Sequence, residues 1–534
     1  MSEEGKKYIQ KFERLKADRH VWEQHWQDVA EFVLPNREFT TRSTPGSEKR
    51  ERIFNNTPGE ALERLVGGIN SLLTNQSQKW FDFGVQQFNP DEEGRRWLSR
   101  TRDVVLDLMS DPSLNLYATL DECYESLAGF GTGVVYADTT KGLRFRAIPL
   151  KSVYIAEDEM GIVDTVCREF EYTLRQAVSS FGLEALPEEL RSRVQASDMS
   201  GSAMEDKHSF VQCVGPREDY VAGSVIPTSM PIYSVTVHVE TNHIVRESGY
   251  SRFPYMVPRW RRGCGEKYGR SPGMVLLQDI RYCNAMSKAA LSSAMKEADP
   301  PVQMPDSGFL RPARLGPGGL NVYRSSSQGR IEPINLGARS DRAYAIIQDI
   351  EMRIQKGFYN DMFQMPQIDR MTATEVMQRQ QDMRQLFAPT LNRLYSELLD
   401  PIIYEAFSYA VALGLVEEAP PSIGGKRIKL HYTSPLARAQ RASEMGSYLE
   451  WINAIGGLAQ ADPTILDNAH PDRIARRLGV AVSLPEDMTR NDEELATLRQ
   501  ERIDQQEQQQ QLVAAQSVAS AAKDGAQAIS ALSG

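Results

Sequence analysis

Gly269-Arg270-Ser271-Pro272-Gly273 spells GxSxG, the pattern in which a serine on a strand-to-helix elbow attacks a carbonyl. That chemistry needs the N–H of the residue after the serine to hold the oxyanion, and Pro272 has none. The same letters suit a helix start, with Ser271 as cap and Pro272 in the first turn. A serine-hydrolase-like enzyme using 269–273 therefore stands only as an alternative. Gly265-Glu266-Lys267-Tyr268-Gly269-Arg270-Ser271 approaches a phosphate loop, but only three residues separate its glycines and an arginine replaces the lysine that would reach the phosphates. The seven histidines (His20, His25, His208, His238, His243, His431 and His470) show no zinc-ligand spacing. Glu157-Asp158-Glu159 before Gly161 reads as a solvated turn rather than a cation site. No carboxylate pair presents itself as acid and base. The chain reads as a non-enzyme with neither a metal nor another cofactor.

What remains is a chain of 534 residues, 41% hydrophobic and 25% charged, an ordinary folded composition able to bury a large core. Its 61 Lys and Arg against 71 Asp and Glu leave a net charge of −10, which excludes a generic basic binder of nucleic acid or anionic lipid. Five cysteines, an odd number without a CxxC pair, read as reduced thiols. The charged N-terminus lacks the apolar run of a signal peptide, and no stretch approaches the roughly 18 apolar residues of a membrane span, so no membrane partner is expected.

Apolar spacing organises the chain into an α+β, mainly helical fold. Ile9, Phe12, Leu15, Trp22, Trp26 and Val29 predict a helix ending before Pro35. Thr57 as cap with Pro58, then Asp91 to Met109, then Leu116 to Phe130 predict three more. From Val134 the period drops to two: GVVYADTT, LRFRAIPL, SVYIAED, GIVDTVCREFEYT, IYSVTVHVE and HIVRESGY predict an antiparallel sheet block, interrupted by helices at Leu174 to Phe181 and Glu188 to Ala196. A continuous helix is expected over 271–297, about 40 Å long at 1.5 Å per residue. A Pro/Gly-rich insertion at 298–340 with strands LNVYRS and RIEPINL follows, and then a returning helix carrying Ile346, Ile350, Ile354 and Phe358. An irregular segment, MFQMPQIDRM, leads to a long helix over 372–413 with kinks at Pro389 and Pro401. A strand RIKLHYT, further helices, and a Gln/Ala-rich tail from Asn491 complete the chain.

This order of parts resembles the portal, or head-to-tail connector, proteins of short-tailed bacteriophages. The resemblance extends over about 5–480 and rests on six motifs in register: Phe54-Asn55-Asn56-Thr57-Pro58-Gly59-Glu60-Ala61; Trp80-Phe81; Gly131-Thr132-Gly133; Arg252-Phe253-Pro254-Tyr255 with Arg259-Trp260; Gly265 to Ser271; and Met371-Thr372-Ala373-Thr374-Glu375-Val376. It implies an elongated subunit in a ring of twelve at one capsid vertex. A wing would comprise 1–270 and 373–433, a stem 271–297 and 341–361, a clip 298–340, a tunnel loop 362–372 and a crown 434–490; the Gln/Ala-rich 491–534, a helical barrel-like or disordered tail by composition, departs from the resemblance. It also implies duplex DNA, a terminase motor, tail adaptor proteins and a major capsid or scaffolding protein as partners, and a place in the virion after synthesis in the host cytoplasm. A non-portal virion scaffold is the remaining alternative.

A conduit should let a polyanion slide without gripping it, and each Lys or Arg contact to phosphate adds salt-dependent affinity. Twelve copies at −10 would carry roughly −120, so repulsion would centre the duplex while a few cations touch it without reading bases. The candidates for those contacts are Lys288, Lys296, Lys356 and Arg370. Met362, Phe363, Gln364, Met365, Pro366, Gln367, Ile368 and Asp369 are expected to line the narrowest part of the channel. Ile346, Ile350, Ile354 and Phe358 are expected to pack both on their own partner helix and on neighbouring subunits.

Overall fold

A computed structural model of the chain describes residues 3–35, 37, 39, 52–85, 90–298 (apart from 141, 197–201, 222 and 224–225), 302–303, 332–333, 340–363 and 387–432, with scattered positions between 455 and 505. The chain divides into two units, Met1–Tyr432 and Thr433–Gly534. In the second, the described positions are helical: Ile455, Ile474, and most of 495–505. The rest of the crown and tail expectations lie outside the described residues.

The first unit begins with helix α1 (Glu3–Phe32), which ends short of Pro35 as its apolar spacing predicts. Helix α2 (Thr57–Leu73) places Pro58 in its first turn, but Thr57 is already helical: Asn56 occupies the cap position and the Thr57 N–H donates to Asn55 Oδ1 at 3.0 Å. After strand β1 (Phe81–Val85), helix α3 (Glu92–Ser110) starts where the Asp91 carboxylate accepts the Gly94 N–H at 2.9 Å. Helix α4 (Leu116–Phe130) stops at Gly131, whose φ of +81° suits a residue without a Cβ.

Strands β2 (Val135–Asp138) and β3 (Arg144–Ala147) form a hairpin, extended on the β2 side by β9 (Tyr255–Met256). The larger sheet is antiparallel in the order β4 (Val153–Glu157), β5 (Val163–Thr173), β6 (Lys207–Pro216), β7 (Ile232–His238), β8 (His243–Tyr250). Its central strand, β6, is missing from the sequence reading. Phe210, Val211, Cys213 and Val214 are buried on both faces, so the alternation that marks a half-exposed strand is lost.

Two layers of side chains cover the sheet. Ile9, Phe12 and Leu15 of α1 pack on one face with Tyr154, Cys167, Val211, Val235 and Val237. Leu174 and Ala177 of α5 (Leu174–Phe181), with Leu190 of α6 (Glu188–Ala196), pack on the other around Phe210 and Val245. Beneath α1, Cys167 and Cys213 sit directly opposite in the β5–β6 register and are joined as a disulfide. This corrects the expectation of five thiols; Cys123, Cys264 and Cys283 are free. The two partners lie 46 residues apart, and only the strand register brings them together.

The predicted continuous helix over 271–297 is broken. A single turn, α7 (Pro272–Val275), is interrupted at Leu276 before α8 (Leu277–Ala298) begins. Strands β10 (Val302–Gln303) and β11 (Glu332–Pro333) pair antiparallel. The second falls within RIEPINL, whereas LNVYRS lies outside the described residues. Helix α9 (Ser340–Gly357) returns along α8, and a short α10 (Asn360–Phe363) follows Tyr359, which has φ +60°. Residues 387–394 are helical, Tyr395–Leu399 wind as a π-helical turn, and α11 (Asp400–Ala412) resumes with Pro401 in its first turn. The expected irregularity at Pro401 is thus a change of winding, which accommodates a residue that cannot donate. Strand β12 (Ile428–Tyr432) closes the unit by pairing with β1.

Candidate functional site

Ser271 decides whether the GxSxG letters mean catalysis. Its hydroxyl is buried, donates to the Gly129 carbonyl at 2.6 Å and accepts the Met274 N–H at 3.0 Å. Both roles of the oxygen serve to cap α7 and tie it to α4, so no proton is left for a base to remove. The glycines around it allow backbone to meet backbone: a Cβ at Gly131 would lie 2.3 Å from the Gly269 carbonyl oxygen. Gly269 N–H donates to Thr132 Oγ1 at 3.0 Å, and Trp260 N–H donates to the Gly131 carbonyl at 2.9 Å. Three of the six motifs, 131–133, 259–260 and 265–271, are therefore one joint. Arg270 donates to Glu266 at 2.9 Å, which holds that carboxyl below its ordinary range.

Arg259 is the charged centre of this joint. Buried, it is paired with Glu157 and with Glu397 of the π-helical turn, the latter at 2.6 Å, and it donates to the Gly161 carbonyl at 3.0 Å. Arg262 adds a second bond to Glu157 at 3.1 Å. Glu157 is thus committed to arginines, while Asp158 accepts the Met160 and Ile162 N–H groups, as a turn would. The sheet, the segment leading into α7 and the helix beyond residue 387 are held by one ion network.

From that joint, α8 and α9 run as a pair. Ile280, Cys283 and Ala290 of α8 meet Ile347, Ile350 and Ile354 of α9, with Phe358 just past its end, in one core. Gly357 lies against the break at Leu276, where a Cβ would come within 2.5 Å of the leucine side chain. Burial, and secondarily the Glu351 charge, push the Cys283 thiol up to about 11. The first motif clamps the pair. Phe54 N–H donates to Asn284 Oδ1 at 2.7 Å, and Asn55 Nδ2 reaches Glu351 Oε1 at 2.7 Å and Ser287 Oγ at 3.2 Å.

The predicted stem residues separate into two groups. Ile350, Ile354 and Phe358 are buried completely inside this subunit, while Ile346 is 45% exposed. A strict four-residue step advances about 40° beyond a full turn each time, so Ile346 has rotated to the edge of the stripe. Within this subunit Ile350, Ile354 and Phe358 are fully covered by their own chain. The exposed apolar side chains are others, Tyr282, Leu291 and Met295 on α8 and Tyr344, Ile346 and Met352 on α9. Tyr344 and Ile346, about 200° apart around the axis, flank the buried stripe on opposite sides. Leu291 and Tyr282 do the same on α8, about 180° apart.

Of the predicted cations, Lys296 and Lys356 are exposed with no ion pair among the described residues, whereas the exposed Lys288 rests its ammonium 5.2 Å from the centre of the Phe54 ring. Arg370 and Gln364, Met365, Pro366, Gln367, Ile368 and Asp369 lie outside the described residues. Met362 is half-buried and Phe363 closes α10. The two ends of that interval meet: the Tyr359 and Phe387 rings lie 4.6 Å apart, tilted by 56°, and both pack on Trp260. Sequence reasoning missed this aromatic pin, and the signal available to it was Arg259-Trp260 among the motifs.

The family model described as "Bacteriophage head to tail connecting protein" matches residues 5–489. The chain is 28% identical over 526 residues to the "Probable portal protein" of Bordetella phage BPP-1, covering 95% of this chain and 93% of that one. It is 26% identical over 534 residues to the "Portal protein" of Salmonella phage epsilon15 (97% and 95%), and 22% identical over 509 residues to that of Enterobacteria phage T3 (90% and 88%). No described helix is long and apolar enough to cross a membrane. With a family match over residues 5–489, most of its length, the chain belongs to the bacteriophage head-to-tail connecting proteins.

Proposed function

We propose that copies of this chain close into a ring at one vertex of a phage capsid, forming the channel for DNA packaging and ejection and the platform on which terminase and tail adaptors dock. The observation that carries this reading is membership of the connector family over residues 5–489, with relatives called portal proteins matched along nine-tenths of their length. The reading places the protein in the virion, in contact with capsid and tail, and acting structurally rather than as an enzyme.

The helix pair supports the ring. A closed cyclic assembly joins two different faces of each subunit, and α8 and α9 carry exposed apolar side chains on both flanks of a buried stripe. In this reading α7, α8 and α9 form the stem, 298–340 the clip, 362–372 the tunnel loop and 434–490 the crown, with twelve subunits to the ring. Lys296 and Lys356 are the cations best placed to touch phosphate transiently, because neither is committed to a carboxylate among the described residues.

Electron microscopy of the purified full chain tests the proposal. Rings with an open axis and apparent twelvefold symmetry are expected; discrete monomers, or filaments without a pore, would overturn it. Packaging assays with Gln364 to Asp369 deleted test the loop assignment. Rings should still assemble while packaging or retention of DNA fails, and normal packaging would reject the loop's role.

A further inference from the structure

The sheet contains a second grouping that no motif announced. His208 stands near the start of β6 and His238 at the end of β7; in register, His238 faces Phe210, two residues along from His208. Both imidazoles therefore point to the face covered by α5 and α6, and their ring centres are 5.8 Å apart. Glu240 follows on the hairpin joining β7 to β8. One ligating atom from each of His208, His238 and Glu240 lies within 4.8 Å of the other two.

The state of these rings is unusual. His208 is 5% exposed and His238 1% exposed, yet neither nitrogen of His208 nor Nε2 of His238 has a hydrogen-bond partner among the described residues. A neutral imidazole carries one donor and one acceptor, and burying both unmatched is unfavourable. His238 Nδ1 lies 2.9 Å from Thr241 Oγ1. With Nδ1 donating there, Nε2 is left with an uncommitted lone pair, and such an outer bond characteristically orients a metal-bound histidine.

We infer that His208, His238 and Glu240 form a binding site for a divalent late transition metal, zinc being the best match. Two imidazoles and one carboxylate are a zinc donor set with a fourth position left for water or another oxygen. A tetrahedral zinc shell with bonds near 2.05 Å sets its ligands roughly 3.4 Å apart, inside the 4.8 Å that bounds these three donor atoms. Glu240, exposed on a turn, is the ligand free to close that distance. The ion would staple β6 to the β7–β8 hairpin, a structural role independent of the ring and of the DNA path.

Untagged full-length protein, stripped with chelator, tests the site. Titration with Zn2+ against a chromophoric chelator should reveal one tight equivalent per subunit, and Co2+ should give the visible bands of a tetrahedral site. His208→Gln and His238→Gln should each weaken zinc binding at least about tenfold, and Glu240→Gln, on the exposed turn where folding is not at stake, should weaken it and alter the cobalt spectrum. His243→Gln, just outside the group, should change neither. Absence of a tight equivalent in the unaltered protein, or the same affinity in Glu240→Gln and both histidine variants, would overturn the inference.

Discussion

The five-stranded sheet and the α8–α9 pair solve the burial problem in opposite ways. The sheet is covered on both faces by helices of its own chain, α1 on one side and α5 with α6 on the other, and its buried charges find partners within the subunit. The helix pair buries one stripe and leaves Leu291, Met295, Tyr282, Tyr344, Ile346 and Met352 in water. Apolar side chains scattered singly over a surface are common, but here all except Met352 line the flanks of the same two helices. The contrast teaches that the sheet block spends its apolar surface within the subunit, whereas the pair keeps apolar surface that the proposed ring would cover.

The largest effect should come from the network that joins the two regions. Arg259→Ala leaves Glu157 and Glu397 without their shared cation, and loss of one partner from a buried ion network costs about 3–5 kcal/mol. A lowered denaturant midpoint is expected, and an unchanged one would mean that sheet and helices are coupled elsewhere. Truncation inside the stripe comes next: Phe358→Ala should destabilise the subunit by roughly 3–5 kcal/mol. Leu291→Ser with Met295→Ser should instead leave monomer melting within about 0.5 kcal/mol while shifting sedimentation from ring to monomer. If that double variant assembles normally, the flanks are not the ring contact and the contrast between the regions fails.

Smaller effects sharpen the contrast. Ser271→Ala removes a cap and its bond to Gly129, so a loss of about 1 kcal/mol is expected without change in any hydrolytic background. His25, on α1 near the start of α7, is held below its ordinary value near 6.5, first by burial and then by Arg270 and Arg281, against Asp28 and the Met274 backbone bond. A depressed folded-state value means that stability is fully present above about 6.5 and declines as acid protonates the unfolded chain first. The pH dependence of melting between 7 and 5 should therefore flatten in His25→Gln.

Much of this architecture was legible in residue order. Helix α4 runs over the span its apolar spacing and trailing glycines predict, and α5 and α6 match equally well, because local periodicity and capping act within a few residues. Ser271 was readable as a cap because Pro272 removed the oxyanion donor. Strand β6 was not, since a strand buried on both faces has no alternation to display. The break at Leu276 was also hidden, for it is set where Gly357 of a distant helix rests.

Sequence therefore determined most of the elements, the reading of Ser271 as a cap rather than a hydrolase elbow and the kinship with connector proteins, all carried by neighbours along the chain. Tertiary structure decided which Ile of α9 is buried, that Cys167 meets Cys213, that Arg259 bridges two glutamates and that His208 lies beside His238. Those facts depend on strand register and helix rotation, where one residue of slip or 40° of turn exchanges an inward side chain for an outward one.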